Sequence, residues 1–373
     1  MLIKRISFYL STETIHLNYN SSSVKIQVLE FLGCLFQYIS IEEMKDDGLE
    51  IVDTLKKLCV KSVFKVSKAG LSVVSIILDN TLSHELISDF GRTMESILNA
   101  NEADLDMKDG AIQILAQIII RDEQTFPYFF KTLYGRLKME NTRSCSMKAI
   151  GRIFSTSSLN KACASYLQSS LPELLEEVLT VSLSNDNDTR HDALNVIQYL
   201  TLHIKQSKIN AKEVIRSLLS KITASDLTGS NLVMESLLNL LFLDSDILEI
   251  QISEVVPIIL NYVFTVASDE KSKYILSKYF TKLGQSIQNE DKLEMLFRNL
   301  LNYCLEFRPV FSIGFVCDSL AVCLCSLVSS CKNMQSKIGL FVSREVMNSN
   351  LPDTTTCLYL RIIGNVCIAR FVH

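Results

Sequence analysis

The chain contains no tryptophan, 12 glycines and 5 prolines in 373 residues. So few turn-forming residues exclude a β-rich fold with many tight turns, and equally a disordered chain. A surplus of positive charge is missing too. Lys and Arg number 37 against 41 Asp and Glu, a formal net charge of −4. General nucleic-acid binding leaves a basic footprint, and none is present. A clean membrane span is also lacking. The best candidate runs from Arg308 to Lys332 with Asp318 as its only charge. A central Asp costs about 2.5–3.5 kcal/mol to insert. The stretch also holds Pro309, Ser312, Ser319, Ser326, Ser329 and Ser330, so it reads as a covered helix in phase with its neighbours. Met1 to Leu10 carries Lys4 and Arg5 inside a short apolar segment without a cleavage pattern, so no signal peptide is expected.

What the chain does have is apolar residues at helical spacing, 48% of the whole. The organising stretch is Ala103 to Ser157, which reads as helix, loop, helix, tight turn, helix. Ala111, Ile114, Leu115, Ile118 and Ile119 form one face of the first helix. Asp104 or Asp106 can cap its start. Phe126 to Leu137 is a second helix with Pro127 in its first turn, where a missing N–H costs nothing. Asn141 is placed to cap a third, on which Met147, Ile150, Ile153 and Phe154 share a face. Such a pair cannot bury both faces alone and needs neighbours of its own kind.

The neighbours are there. A small residue before an aliphatic one recurs at Ala69/Leu71, Ala111/Ile112, Ala149/Ile150 and Ala193/Leu194, at intervals of 42, 38 and 44. Proline near the start of the preceding helix repeats in the same way: Pro127 and Pro172 are 45 apart, and Pro257 follows 85 later, near twice that interval. LPELLEEVL, AKEVIRSLL and VPIILNYVF then occupy equivalent positions. A period near 40 built from helix pairs is the signature of HEAT or armadillo arrays, and its variable length favours HEAT-type units. The expected architecture is an all-α HEAT-type α-solenoid over residues 21–373, after a poorly ordered lead-in at 1–20. Helices are expected at Ser21–Ser40, Asp47–Val60, Phe64–Leu78, Glu85–Ala100, Gln168–Ser184 and Asp188–Ile204. Further pairs are expected through to Thr354–Val372. The apolar last helix lacks a polar capping face, which suggests a portion of a longer array.

Catalytic and metal chemistry finds no constellation. His16, His84, His191, His203 and His373 are scattered. His191, beside Asp188, Arg190 and Asp192, reads as a helix-start ion-pair residue rather than a proton-transfer group. The 11 cysteines fall on apolar helical faces and read as reduced, buried thiols. Cys323 and Cys325 point roughly 160° apart on a helix, which does not suit convergent zinc ligands. GRLKMENTR has neither a second glycine nor a Walker lysine. No cofactor and no metal are expected, and the chain is read as non-enzymatic. The partner-binding candidates are basic residues on the second helix of each pair: Lys108, Arg143, Lys148 and Arg190, with Lys65, Lys68 and Arg152 beside them. In such arrays these helices usually line the concave side, and a basic track there would receive an acidic partner surface. The competing reading is an ordinary solvated face with intrahelical pairing.

Three segments, ADLDMKDGAIQILAQIII, LYGRLKMENTRSCSMKAIGRIFSTS and LPELLEEVLTVSLSNDNDTRHDALNVI, resemble the cullin-associated and neddylation-dissociated proteins, the large HEAT-repeat regulators of cullin–RING ubiquitin ligases. Weaker similarity appears in SSSVKIQVLEFLGCLFQYIS, DSLAVCLCSLVSSC and SREVMNSNLPDTTTCLYLRIIGNV. The likeness covers the family's central repeats, in order, from about Ser21. It implies a scaffold that wraps an un-neddylated cullin–RING core and drives exchange of substrate adaptors, in cytoplasm or nucleus. In the family, the strongest contacts lie in the end repeats, which have no counterpart here, so no functional residue carries over. A second expectation is a nuclear transport receptor of the importin-β type. An acidic loop and a GTPase-binding N-terminal array would favour it, and neither is apparent. The absence of Trp argues against cargo-binding armadillo importins, which use repeated tryptophans. No nucleic acid and no membrane are expected as partners.

Overall fold

Apolar residues three and four apart produce helices here, and strings of such helices must cover one another's faces. The structure is a computed structural model. It describes residues 6, 10, 21–100, 103–156, 161–204, 209–223, 225–241, 245–265, 270–306, 315–347, 351 and 353–371. Among these residues no strand occurs. The chain forms two units, Met1–Val181 and Ser182–His373. Each is built of stacked helix pairs, the arrangement of a HEAT-type α-solenoid.

The first unit comprises α1 (Ser21–Phe36), a 3₁₀ turn at Ile41–Met44, α2 (Lys45–Lys61), α3 (Phe64–Asn80), α4 (His84–Asn99), α5 (Leu105–Arg121), α6 (Phe126–Leu137), α7 (Arg143–Ser155) and α8 (Lys161–Val181). α2 pairs with α3, α4 with α5 and α6 with α7. The second helices α1, α3, α5 and α7 stack in sequence as one layer, and α2 packs on α4 and α6 on α8 in the other. α5 sits between two neighbours of its own layer, which is why it is apolar almost all round. Ala111, Ile112, Leu115, Ala116 and Ile118 are each 0% exposed. A fully buried Leu or Ile side chain contributes about 1.5–3 kcal/mol. The small residues of the repeat let helices approach: Ala111, Ala149 and Ala193 are buried, while Ala69 is half-buried.

The second unit comprises α9 (Asn187–Thr201), α10 (Ala211–Leu219), α11 (Leu227–Leu240), α12 (Ser245–Ile250), a π turn at Gln251–Val255, α13 (Val256–Thr265), α14 (Glu270–Ser286), α15 (Glu290–Glu306), α16 (Phe315–Val328), α17 (Lys332–Met347) and α18 (Asp353–Phe371). Here α9, α11, α14, α16 and α18 stack in order, with α10, α15 and α17 packed on α11, α16 and α18. The π turn ends two residues before Pro257. Proline has no N–H and clashes with the carbonyl four residues earlier, so a widened turn accommodates it within a helix. Gln251 in that turn is fully buried and satisfied at both ends. Its Nε2 donates to Leu237 O at 3.2 Å, and its Oε1 accepts from the Tyr279 hydroxyl at 2.5 Å.

Several expectations need correction. Pro172 lies inside α8 rather than near a helix start. Leu171, Leu174, Leu175 and Val178 bury one face there, and that burial carries the helix past the lost hydrogen bond. Asn141 does not cap α7. Thr142 and Arg143 close that turn instead, the Thr142 hydroxyl donating to Arg136 O at 2.9 Å and Arg143 Nε to Leu137 O at 3.3 Å. They thereby satisfy carbonyls at the end of α6 that no helical N–H can reach. Asp104, by contrast, does cap α5, accepting from Asp106 N–H at 2.9 Å. The thiols are not uniformly covered. Cys59, Cys304, Cys317 and Cys323 are buried, Cys34 is exposed, and Cys145, Cys325, Cys331 and Cys357 are intermediate. Cys34 lies off the face on which Leu29, Leu32 and Phe36 are buried. The side chains of Cys163 and Cys367 lie outside the described residues. So does the lead-in at 1–20 apart from Ile6 and Leu10, both buried.

Candidate protein-interaction surface

Polar side chains join successive helices of one layer at the repeat spacing. In the first unit Asn80 Nδ2 donates to Phe36 O at 2.7 Å, and Arg121 Nη2 to Asp79 O at 2.8 Å. Gln117 Nε2 donates to Ser75 O at 2.8 Å and to Asp79 Oδ1 at 2.6 Å. In the second unit Asn239 Nδ2 donates to Gln198 O at 3.0 Å, and Ser272 Oγ to Asn231 Oδ1 at 3.1 Å. Several of these acceptors belong to the last turn of the preceding helix, where carbonyls lack helical partners. The sequence reading missed this set. Its signal is a polar residue in the last turns of several second helices: Asn80, Gln117, Arg121 and Asn239.

The basic candidates sit against that framework. Lys108 is half-buried in the first turn of α5, and Lys65, Lys148 and Arg152 are exposed on α3 and α7. Lys68 pairs with Asp106 at 3.1 Å. Lys148 lies within the electrostatic reach of Asp109. Burial pushes the Asp109 carboxyl up, Asp106 adds to that, and Cys145 and Lys148 oppose it. Arg143 turns back onto α6, as described above. Lys108, Arg143 and Lys148 therefore belong to the first unit and Arg190 to the second.

Arg190 is held by Asp226, with Nε at 3.1 Å and Nη2 at 2.8 Å from Oδ2. His191 Nε2 lies 2.8 Å from the other carboxylate oxygen. Asp226 also caps α11 by accepting from Gly229 N–H at 2.9 Å. Burial alone would raise this carboxyl. The bonds from Gly229, His191 and Arg190 outweigh it and hold the group below the usual carboxylate range. His191 is thus a helix-linking residue, and Arg190 contributes to the same junction.

The remaining chemistry is structural. His84 contacts Asp122, which caps the short turn after α5. Burial lowers the pKa of His203. Burial drives the thiols of Cys59 and Cys304 up to about 12, which suppresses thiolate formation. Among the described residues no cluster of His, Cys, Asp and Glu is arranged to hold a metal ion. No described helix is long and apolar enough to cross a membrane. Grooves open between first helices. One of about 610 Å³ lies between α2 and α4, and one of about 780 Å³ lies between the α12–π segment and α15, with Leu248, Ile252 and Met295 on its wall.

The fold is that of a HEAT-type helical solenoid, an array of stacked helix pairs. No family model matches the chain. No curated protein matches it either. Solved structures do. Yeast importin-β, Kap95p, superposes with a TM-score of 0.53 at 12% identity, over 99% of this chain and 52% of Kap95p. Kap95p bound to RanGDP gives 0.58 at 14% identity, over 98% of this chain and 45% of that one. Kap121p bound to RanGTP gives 0.53 at 15%, over 99% and 38%. The chain thus spans about half or less of these neighbours' length. At such identities the likeness is one of fold.

Proposed function

We propose that this protein is a non-catalytic scaffold that binds a protein partner, and that the partner is an un-neddylated cullin–RING core. The observation carrying this reading is the run RLKMENTR followed by KAIGRI, set within helix pairs that keep the family's order. Thr142 and Arg143 of that run build the α6–α7 turn, so the similar residues form a structural unit of the repeat. In this reading, the acidic side of the partner meets basic residues on the second helices. Lys108 and Lys148 are the principal contributors. Arg143 and Arg190 hold internal bonds as well, so their replacement would disturb structure and binding together. Binding by such a surface weakens as salt rises. The test is surface-immobilised un-neddylated cullin–RING complex titrated with this chain, with the neddylated complex as comparison. Preference for the un-neddylated form supports the reading, and equal affinity for both forms counts against it.

A second reading follows from the likeness to Kap95p and Kap121p, whose solved complexes contain Ran. It places the chain among nucleocytoplasmic transport scaffolds. Titration with Ran loaded with GTP or GDP separates the two readings: nucleotide-dependent binding favours transport, and its absence alongside cullin binding favours the first.

A further inference from the structure

The α2–α3 turn carries an unusual combination. Val60, Val63 and Phe64 are 43%, 65% and 37% exposed, three large apolar side chains within five positions. Lys57, Lys61 and Lys65 surround them and are all exposed. Lys57 and Lys61 are four apart and share one face of α2, while Lys65 stands at the start of α3. The adjacent lysines are neutralised: Lys56 by Asp53 and Asp89, and Lys68 by Asp106. Lys57, Lys61 and Lys65 have no ion-pair partner among the described residues. The Lys68–Asp106 pair also brings the start of α5 alongside, where Leu105 is 49% exposed. The Lys68 ammonium lies over the Phe64 ring, 5.6 Å from its centroid. In a chain of net charge −4, this is a local concentration of unneutralised positive charge around an apolar centre.

We propose that this turn is a docking site for a protein segment that alternates acidic and bulky apolar residues. Charge complementarity selects the acidic residues. Lysine ammoniums at the rim steer and orient them, and the apolar centre takes the intervening side chains. An anionic bilayer would also attract the lysines. Insertion into lipid, however, needs apolar side chains that project. Phe64, the largest of the three, is nearly two-thirds covered and has the Lys68 ammonium over its ring, so it offers little free apolar surface to lipid and suits the side chains of a partner chain. The site rests on the scaffold reading only in general terms and does not require a cullin partner.

The experiment uses the full chain and a short fluorescein-labelled peptide alternating Glu with Phe and Leu, read by anisotropy. Joint replacement Lys57→Glu, Lys61→Glu and Lys65→Glu should weaken binding by about tenfold or more, and added salt should weaken binding to the wild type. Val63→Ser, at an exposed position, should weaken it about threefold at constant salt. Far-UV circular dichroism checks that the variants fold. If the triple variant fails to fold, the salt series and Val63→Ser still decide the outcome. The proposal is overturned by absence of peptide binding, by salt-independent binding, by unchanged affinity in the folded variants, or by preference for phosphatidylserine vesicles over the peptide.

Discussion

Asn239 reaches from α11 to α9 and donates its amide to the carbonyl of Gln198 at 3.0 Å, with Thr201 Oγ1 at 3.1 Å as a second acceptor. The same device joins α3 to α1 through Asn80 and Phe36. Each asparagine donates to a carbonyl in the last turn of the preceding helix of its layer, and in doing so it fixes the register between consecutive repeats. Replacing Asn239 by Ala removes the link between the two helices and leaves the half-buried Gln198 carbonyl with the Thr201 hydroxyl, at 2.7 Å, as its remaining partner. The expected loss of stability is about 0.5–1.5 kcal/mol. Denaturant titration measures it, and a change below a few tenths would remove the register role.

Asp226 is expected to matter more than any other single carboxylate in the second unit, because it caps α11 and binds Arg190 and His191 together. Asp226→Ala should cost about 2–3 kcal/mol, the sum of a lost cap and a broken, partly buried ion pair. Asp226→Asn should cost less, since its amide oxygen still accepts from Gly229 N–H. Equal melting temperatures for the two variants would contradict this assignment.

The two units contain glycines with opposite expectations. A β-carbon on Gly284 would run into the backbone carbonyl of Leu327, where α14 packs on α16. The backbone cannot yield as a flexible side chain would, so Gly284→Ala should cost about 1–3 kcal/mol or more. Gly135, within α6, has nothing within 4 Å of such a β-carbon. Gly135→Ala should stabilise by roughly 0.5–1 kcal/mol through helix propensity alone. Thermal unfolding of the two variants side by side checks the contrast.

Acid sensitivity should show one contribution from Glu42. This carboxylate accepts from Ser40 and Thr81 hydroxyls and from the N–H groups of Leu82 and Ser83, tying the α3–α4 connection to the turn before α2. Burial opposes ionisation, but these bonds prevail and lower its pKa from 4.5 to about 2. A depressed folded-state value means that the stabilisation is complete above the unfolded value near 4.5 and is lost as pH falls toward 2. Glu42→Gln should therefore lower the melting temperature at neutral pH and flatten its decline between pH 4.5 and 2. Parallel acid limbs for the two proteins would contradict this.

Much of the fold was legible in the sequence because each helix carries its own apolar period. The expected helix Phe64–Leu78 corresponds to α3, Phe64–Asn80, and the expected Asp188–Ile204 to α9, Asn187–Thr201. Where local chemistry allowed several answers, the reading went astray. Proline marks a helix start at Pro127, yet Pro172 and Pro257 fall inside helical runs that packing and a π turn sustain. Thr142 outcompeted Asn141 because it reaches carbonyls of α6, a choice visible only once α6 and α7 are folded together. The polar links were hidden for the same reason. Asn239 looks like any surface amide until α9 lies beside it. The basic residues were legible as charges, but their partners were not: Arg190 is committed to Asp226, 36 positions away.

The central claim, a scaffold that recognises an un-neddylated cullin–RING core partly through lysines of its second helices, is tested most directly by interferometry. The immobilised complex is titrated at low and high salt with the wild-type chain and with the variant Lys108→Glu/Lys148→Glu. The account predicts salt-sensitive binding of the wild type that the double variant reduces by about tenfold or more while its melting temperature stays close to that of the wild type. Absence of binding at low salt, or binding indifferent to both salt and charge reversal, would contradict it.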